Sequence, residues 1–135
     1  MTTQLTARAM GGEQDDDDEV LEAGFSEFED GTGFALLFQR PTYEPNEQET
    51  ELGWDTYCLT TGDGKTHYGG LEAVALEGAR LSIKLKPGAA DILGLDRDIE
   101  VDLQVDDDSL RRFGEVFPRV VTWGRAEEVP TISGF

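Results

Sequence analysis

At 135 residues the chain has the length of one domain and can bury about two thirds of its unfolded surface. Its 38% hydrophobic content, gathered in short patterned runs, favours a single folded domain over residues 1–135 rather than disorder. No apolar run approaches the roughly 18 residues of a membrane span, the N-terminus lacks a signal-peptide profile, and one cysteine cannot form an internal disulfide, so a soluble cytoplasmic protein is expected. The net charge of −18 would repel nucleic acid and anionic membranes.

Leu5, Ala7 and Ala9 alternate with Thr6 and Arg8, so Gln4 to Met10 reads as a first strand, ended by Gly11-Gly12. Glu13 to Glu19 holds Asp15-Asp16-Asp17-Asp18, whose repulsion and poor strand propensity predict a solvated loop. A calcium loop of the EF-hand kind is rejected, because Val20 stands where that pattern requires glycine. Val20 to Ser26 and Phe34 to Arg40 are the next two strands, with Leu21, Ala23, Phe25 and Phe34, Leu36, Phe38 inward. The turn residues Asp30-Gly31 and Gly33 between them predict an antiparallel hairpin, and Leu37 suggests partial cover on the other face. Pro41 to Gly53 is a polar connection, either a functional loop or a short helix from Pro45 through Leu52.

Trp54 to Gly70 holds the only cysteine, the only histidine and two of three tyrosines. Thr56 to Thr60 and Thr66 to Tyr68 flank Thr61-Gly62-Asp63-Gly64, so a hairpin is predicted. A four-residue loop sets Cys58 opposite His67, whereas a two-residue turn at Asp63-Gly64 sets His67 opposite Thr60. Leu71 to Glu77 and Arg80 to Lys86 form the following hairpin about Gly78-Ala79, with Val74 facing Ile83 and Leu76 facing Leu81. Residues 87–94 predict a short helix, proline in its first turn and Gly94 as its stop. Ile99 to Val105 alternates cleanly as a strand. Asp106, Asp107, Asp108 and Ser109 supply caps for a helix over about 109–122, whose apolar stripe is Leu110, Phe113, Phe117, Val120 and Val121. Pro118 predicts a kink or break in that helix. Residues 124–135 read as a tail, with Ile132 and Phe135 tucked down. The expected class is therefore α+β: a mainly antiparallel sheet of about seven strands, one main C-terminal helix and one short helix.

Catalytic sets are sparse. No phosphate-binding glycine loop and no dinucleotide fingerprint is present, and zinc fails because Cys58 and His67 are the only soft ligands. No cofactor and no metal is expected. The pair Cys58 and His67 is the one arrangement with a nucleophilic look, yet no oxyanion-forming motif accompanies it, and a lone cysteine between Tyr57 and Leu59 is more often a small core residue. Charge carries more information. Residues 1–64 hold sixteen acids against Arg8 and Arg40, net −14, while residues 65–135 hold thirteen acids and nine bases, net −4. A basic protein would be steered to the first half.

The chain resembles the immunity protein 10 family of bacterial polymorphic toxin systems. The residues that carry the likeness are the acidic start around Asp15 to Glu22, Phe34 to Arg40, Leu52-Gly53, Asp55-Thr56-Tyr57-Cys58 and His67-Tyr68-Gly69-Gly70, with the hairpin at Leu71 to Leu85; it fades after about Leu95. The resemblance implies an α+β protein, not an enzyme, that neutralises a toxin by binding it. The expected partner is a cognate, basic toxin domain. The expected contact residues are Asp15, Asp16, Asp17, Asp18, Glu19, Glu27, Glu29, Asp30, Glu47, Glu49 and Glu51, joined by Asp55, His67 and Tyr68 where their faces prove exposed. The alternatives are a small thiol enzyme using Cys58 and His67, and an acidic structural domain without a toxin partner, its charge serving solubility.

Overall fold

Strand periodicity dominates the chain, and among the described residues ten short strands with three helices carry it into an α+β fold. The computed structural model describes residues 2–135. In chain order the elements are β1 Thr2–Ala7, β2 Ala9–Asp15, β3 Val20–Ser26, β4 Ala35–Pro41, α1 Glu47–Glu51, β5 Cys58–Thr61, β6 Thr66–Tyr68, β7 Leu71–Glu77, β8 Arg80–Leu85, α2 Pro87–Leu93, β9 Asp98–Leu103, α3 Asp107–Val121, a 3-10 turn at Ala126–Glu128 and β10 Thr131–Ser133. One sheet runs β1-β9-β8-β7-β10 and the other β2-β3-β4-β5-β6, five strands each rather than about seven in one.

The expected first strand is two. Ala7 is buried in the first sheet, the path bends at Arg8, and β2 joins the second sheet with Met10 and Gly12 sharing the inward face of Phe25 and Ala23. The inward phase thus jumps from Ala7 to Met10, a shift that simple alternation cannot carry. Gly11-Gly12 does not end the strand. A Cβ on Gly12 would sit 2.7 Å from the Cβ of Val116, so glycine is what allows α3 to lie this close.

Strands β3, β4, β7, β8 and β9 match the sequence reading closely. Glu77 pairs with Arg80 and Val74 with Ile83 across the two-residue turn. Gly94 ends α2 in the left-handed conformation, and Asp106 caps α3 by accepting from the Ser109 amide at 2.6 Å. Pro118 does not break α3, which continues to Val121. Proline falls in the last turn, where its carbonyl accepts from both the Thr122 amide (3.1 Å) and the Thr122 hydroxyl (2.6 Å). The core is centred on Phe38, whose ring meets Phe117 edge-on at 4.9 Å and Phe113 at 6.3 Å. Each of these fully buried phenylalanines contributes about 1.5–3 kcal/mol.

Residues 124–135 are no loose tail. β10 pairs in parallel with β7, and Phe135 stacks on Phe117 at 5.0 Å. The buried Tyr57 hydroxyl donates to the Glu128 carbonyl (2.6 Å) and accepts from the Leu71 amide (3.0 Å). Arg125 forms an ion pair with Asp55 at 2.8 Å. The C-terminal segment is thereby fastened to the Trp54 to Gly70 stretch, a tertiary link that no local pattern announces.

Candidate functional site

The second sheet has two unequal faces. One holds Leu21, Ala23, Phe25, Leu36, Phe38 and Leu59 and is covered by α3, which packs on β2, β3 and β4. By strand alternation the other face presents Glu13 and Asp15 of β2, Glu22 and Gly24 of β3, Leu37 and Gln39 of β4, Cys58 and Thr60 of β5, and Thr66 and Tyr68 of β6. Two open cavities lie along it. The larger, about 500 Å³, is floored by small residues including Gly11, Gly24 and Thr60. The smaller, about 230 Å³, is lined by Asp18, Glu19, Gln39, Tyr43, Glu49, Trp54, Cys58 and Tyr68 among others. Between them the Gln39 amide donates to the Glu22 carboxylate at 2.9 Å.

The smaller cavity is walled by aromatics. Trp54 and Tyr68 stack with ring centroids 6.0 Å apart and planes 22° from parallel. Tyr43 stands opposite on the β4–α1 connection, and its hydroxyl donates to Glu49 at 3.4 Å. All three residues keep more than a third of their surface in solvent: Tyr43 45%, Trp54 42% and Tyr68 38%. Burial pushes the Tyr68 phenol up, with Cys58, Glu49 and Tyr43 adding to the effect; the Glu49 carboxylate pushes Tyr43 up. Glu49 is set by the capping box of α1, in which Asn46 accepts from the Glu49 amide at 2.8 Å and donates its own amide to the Glu49 carboxylate at 3.2 Å. Arg40 is the one base in the lining, and it is turned to other work. Its guanidinium donates to the Arg119 and Pro41 carbonyls and lies 5.5 Å from the Trp123 ring centroid, with burial lowering its pKa.

The β5–β6 register differs from both arrangements that the sequence allows. Thr60 pairs with Thr66, Leu59 with His67 and Cys58 with Tyr68. The loop is Gly62-Asp63-Gly64, closed by the Thr61 amide donating to Lys65 O at 2.9 Å, with Gly64 at φ 90°. A three-residue loop of a tight turn followed by a positive-φ glycine falls between the two lengths considered, and a one-residue slip exchanges the faces. Cys58 and His67 therefore point to opposite sides of the ribbon. His67 Nδ1 lies 3.0 Å from Gly69 O, and burial pushes the Cys58 thiol pKa up.

Of the acidic residues picked out from sequence, the structure gathers Asp18, Glu19 and Glu49 around Tyr68. Asp15 closes β2, and Asp16 to Glu19 form the β2–β3 turn; the Asp15 carboxylate accepts from the Asp17 (3.0 Å) and Asp18 (3.1 Å) amides. Glu27, Glu29 and Asp30 lie at the other end of β3, about 20 Å away for a seven-residue strand. There Glu27 accepts from the Phe34 amide and Asp30 from the Thr32 amide and hydroxyl. Glu47 and Glu51 are exposed on α1. Asp55 is mostly buried against Arg125, His67 is half-buried, and Tyr68 is exposed. Sequence reasoning passed over Trp54, Tyr43, Glu13 and Glu22 as contact residues. The available signal was three aromatics bracketing a polar connection, which strand alternation alone does not join. Glu13 and Glu22 sit directly opposite one another on the open face, a like-charge placement that is unfavourable for the fold itself.

A family model described as Immunity protein 10 matches residues 6–111 of the 135-residue chain. The match extends beyond Leu95, where the likeness read from sequence fades, and covers β2 to β9 with the start of α3. No curated protein and no solved structure matches the chain. No helix among the described residues is long and apolar enough to cross a membrane.

Proposed function

The chain belongs to the immunity protein 10 family, and from that premise we propose that it neutralises a cognate, basic toxin domain by binding it with the open acidic face of the second sheet. The observation that carries this reading is the face itself. It joins the like-charged pair Glu13 and Glu22, the acidic turn from Asp15 to Glu19 and the Glu49 carboxylate to a stack of exposed aromatics, while α3 occupies only the opposite side. Glu13 facing Glu22 is an unfavourable like-charge placement for the fold, which a basic partner would relieve. Charge density of one sign steers association, and exposed aromatics supply the buried anchors that hold a complex once formed.

The test is co-expression of the chain with the toxin domain encoded beside it, followed by association kinetics on the purified pair. Growth should be protected. The association rate should fall at least tenfold between about 0.01 M and 0.15 M salt, where the screening length shrinks from roughly 30 to 8 Å. A salt-independent rate would rule out the acidic face as the steering element. Replacing Cys58 by serine should leave protection intact, because His67 lies on the opposite side of the ribbon from the thiol; loss of protection with an unchanged melting curve would restore the thiol enzyme as the better reading.

A further inference from the structure

We infer that the cleft between Tyr43, Trp54 and Tyr68 is a receptor for a single arginine side chain of the protein partner, an inference that rests on the toxin-binding reading above and names its anchor. The cavity volume of about 230 Å³ lies below the roughly 300 Å³ at which small-molecule sites begin, so its scale is that of a side chain. Its walls are π faces. Trp54 and Tyr68 stack at 6.0 Å, line the cleft and both stay partly open to solvent, an arrangement that can attract a planar cation. Its rim is anionic, with Asp18, Glu19 and Glu49 among the lining residues.

Neither Asp18 nor Glu19 makes a side-chain hydrogen bond or ion pair among the described residues, whereas Glu49 is held in place by Asn46 and Tyr43. One carboxylate is thus preset and two are free to adjust. Arg40, the one base among the lining residues, donates to backbone carbonyls and lies over Trp123, and it forms no ion pair with Asp18, Glu19 or Glu49. Arginine suits this site better than lysine because the guanidinium can lie flat on the indole while its edge meets carboxylates in pairs; an ammonium can do only the second.

The test titrates the purified chain with an oligoarginine peptide and an oligolysine peptide of equal length, read in the parent by the indole N–H resonance of Trp54 and in the parent and every variant by titration calorimetry. Oligoarginine should shift that resonance and bind several-fold more tightly than oligolysine. Trp54→Ala should weaken oligoarginine binding about tenfold, Trp54→Phe should recover part of the loss, and Asp18→Asn with Glu19→Gln, which touches no packing, should weaken it several-fold. Glu29→Gln with Asp30→Asn, at the far end of β3, should leave it within twofold. Unchanged affinity in Trp54→Ala, or an equal loss in the far-end pair, overturns the cleft. Carried into the protection assay, full protection by Trp54→Ala also overturns the cleft and leaves the immunity reading standing, while failure of the parent chain to protect overturns that reading instead.

Discussion

Asp15–Asp18 and Asp106–Asp108 are the densest runs of acid in the chain, alike in composition and opposite in what surrounds them. In the second, every charge has an answer. Asp106 caps α3 through the Ser109 amide, Asp107 and Asp108 lie in the first turn where the helix end is positive, and Asp108 pairs with Arg111 and, at 3.7 Å, with Arg112. In the first, the carboxylates meet only amides. Asp15 accepts from Asp17 and Asp18, Asp16 accepts from Gln14, and no base among the described residues forms an ion pair with the turn. One run is consumed by the fold and the other is left to act on something outside it.

Charge reversal should separate the two most strongly. With Asp16, Asp17 and Asp18 replaced by lysine, the association rate with the toxin domain should drop by more than tenfold at low salt while the melting temperature stays near that of the parent. Reversing Asp107 and Asp108 should do the converse, lowering the melting temperature and leaving the association rate within about twofold. Stopped-flow mixing and thermal melts on the same samples decide it. Equal rate losses in the two variants would mean that net charge, not its location, does the steering.

Removal of the cap should have a smaller and purely structural effect. Asp106→Ala leaves orphan amides at the start of α3 and should lower the melting temperature by a few degrees, whereas Asp106→Asn, itself a good cap, should restore most of it. The two replacements differ in their response to acid. The hydrogen bond from Ser109 holds the Asp106 pKa below its usual value, so its contribution is present above the ordinary carboxylate range and is lost as pH falls through the depressed value. The parent should therefore lose its advantage over Asp106→Asn on acidification, and a difference that grows at low pH would contradict the assignment.

The contrast between the runs was half legible in the sequence. Asp106 to Ser109 precedes an apolar stripe at helical spacing, so capping follows directly; Asp15 to Asp18 precedes a strand, where no local job needs four acids. Elements closed by short-range rules were equally readable, as in the two-residue turn that fixes the β7–β8 register and the glycine that ends α2. Features decided by distant partners were not. The bend at Arg8 sends β1 to β9 and β2 to β3, yet Leu5, Ala7 and Ala9 alternate straight through it. β10 exists through parallel pairing with β7, about which its own three residues are silent. The aromatic cleft was missed for a related reason. Trp54 lies outside any strand and meets Tyr68 only because the glycine-closed loop sets Cys58 opposite Tyr68.

The finest discrimination comes from removing a single charge without reversing it. Asp108→Asn deletes two exposed ion pairs on α3 and a favourable dipole interaction, so stability should fall slightly at low ionic strength. Asp17→Asn deletes only repulsion from Asp15, Asp16, Asp18 and Glu19, so stability should rise slightly. Opposite signs are the point, since both substitutions change the net charge by the same amount and any global effect of acidity would move both in one direction. Both differences should shrink toward zero at about 1 M salt, where the screening length is roughly 3 Å. Paired thermal melts at low and high salt measure the signs, and two shifts of the same sign would show that the turn is as compensated as the helix and has no surplus charge to offer a partner.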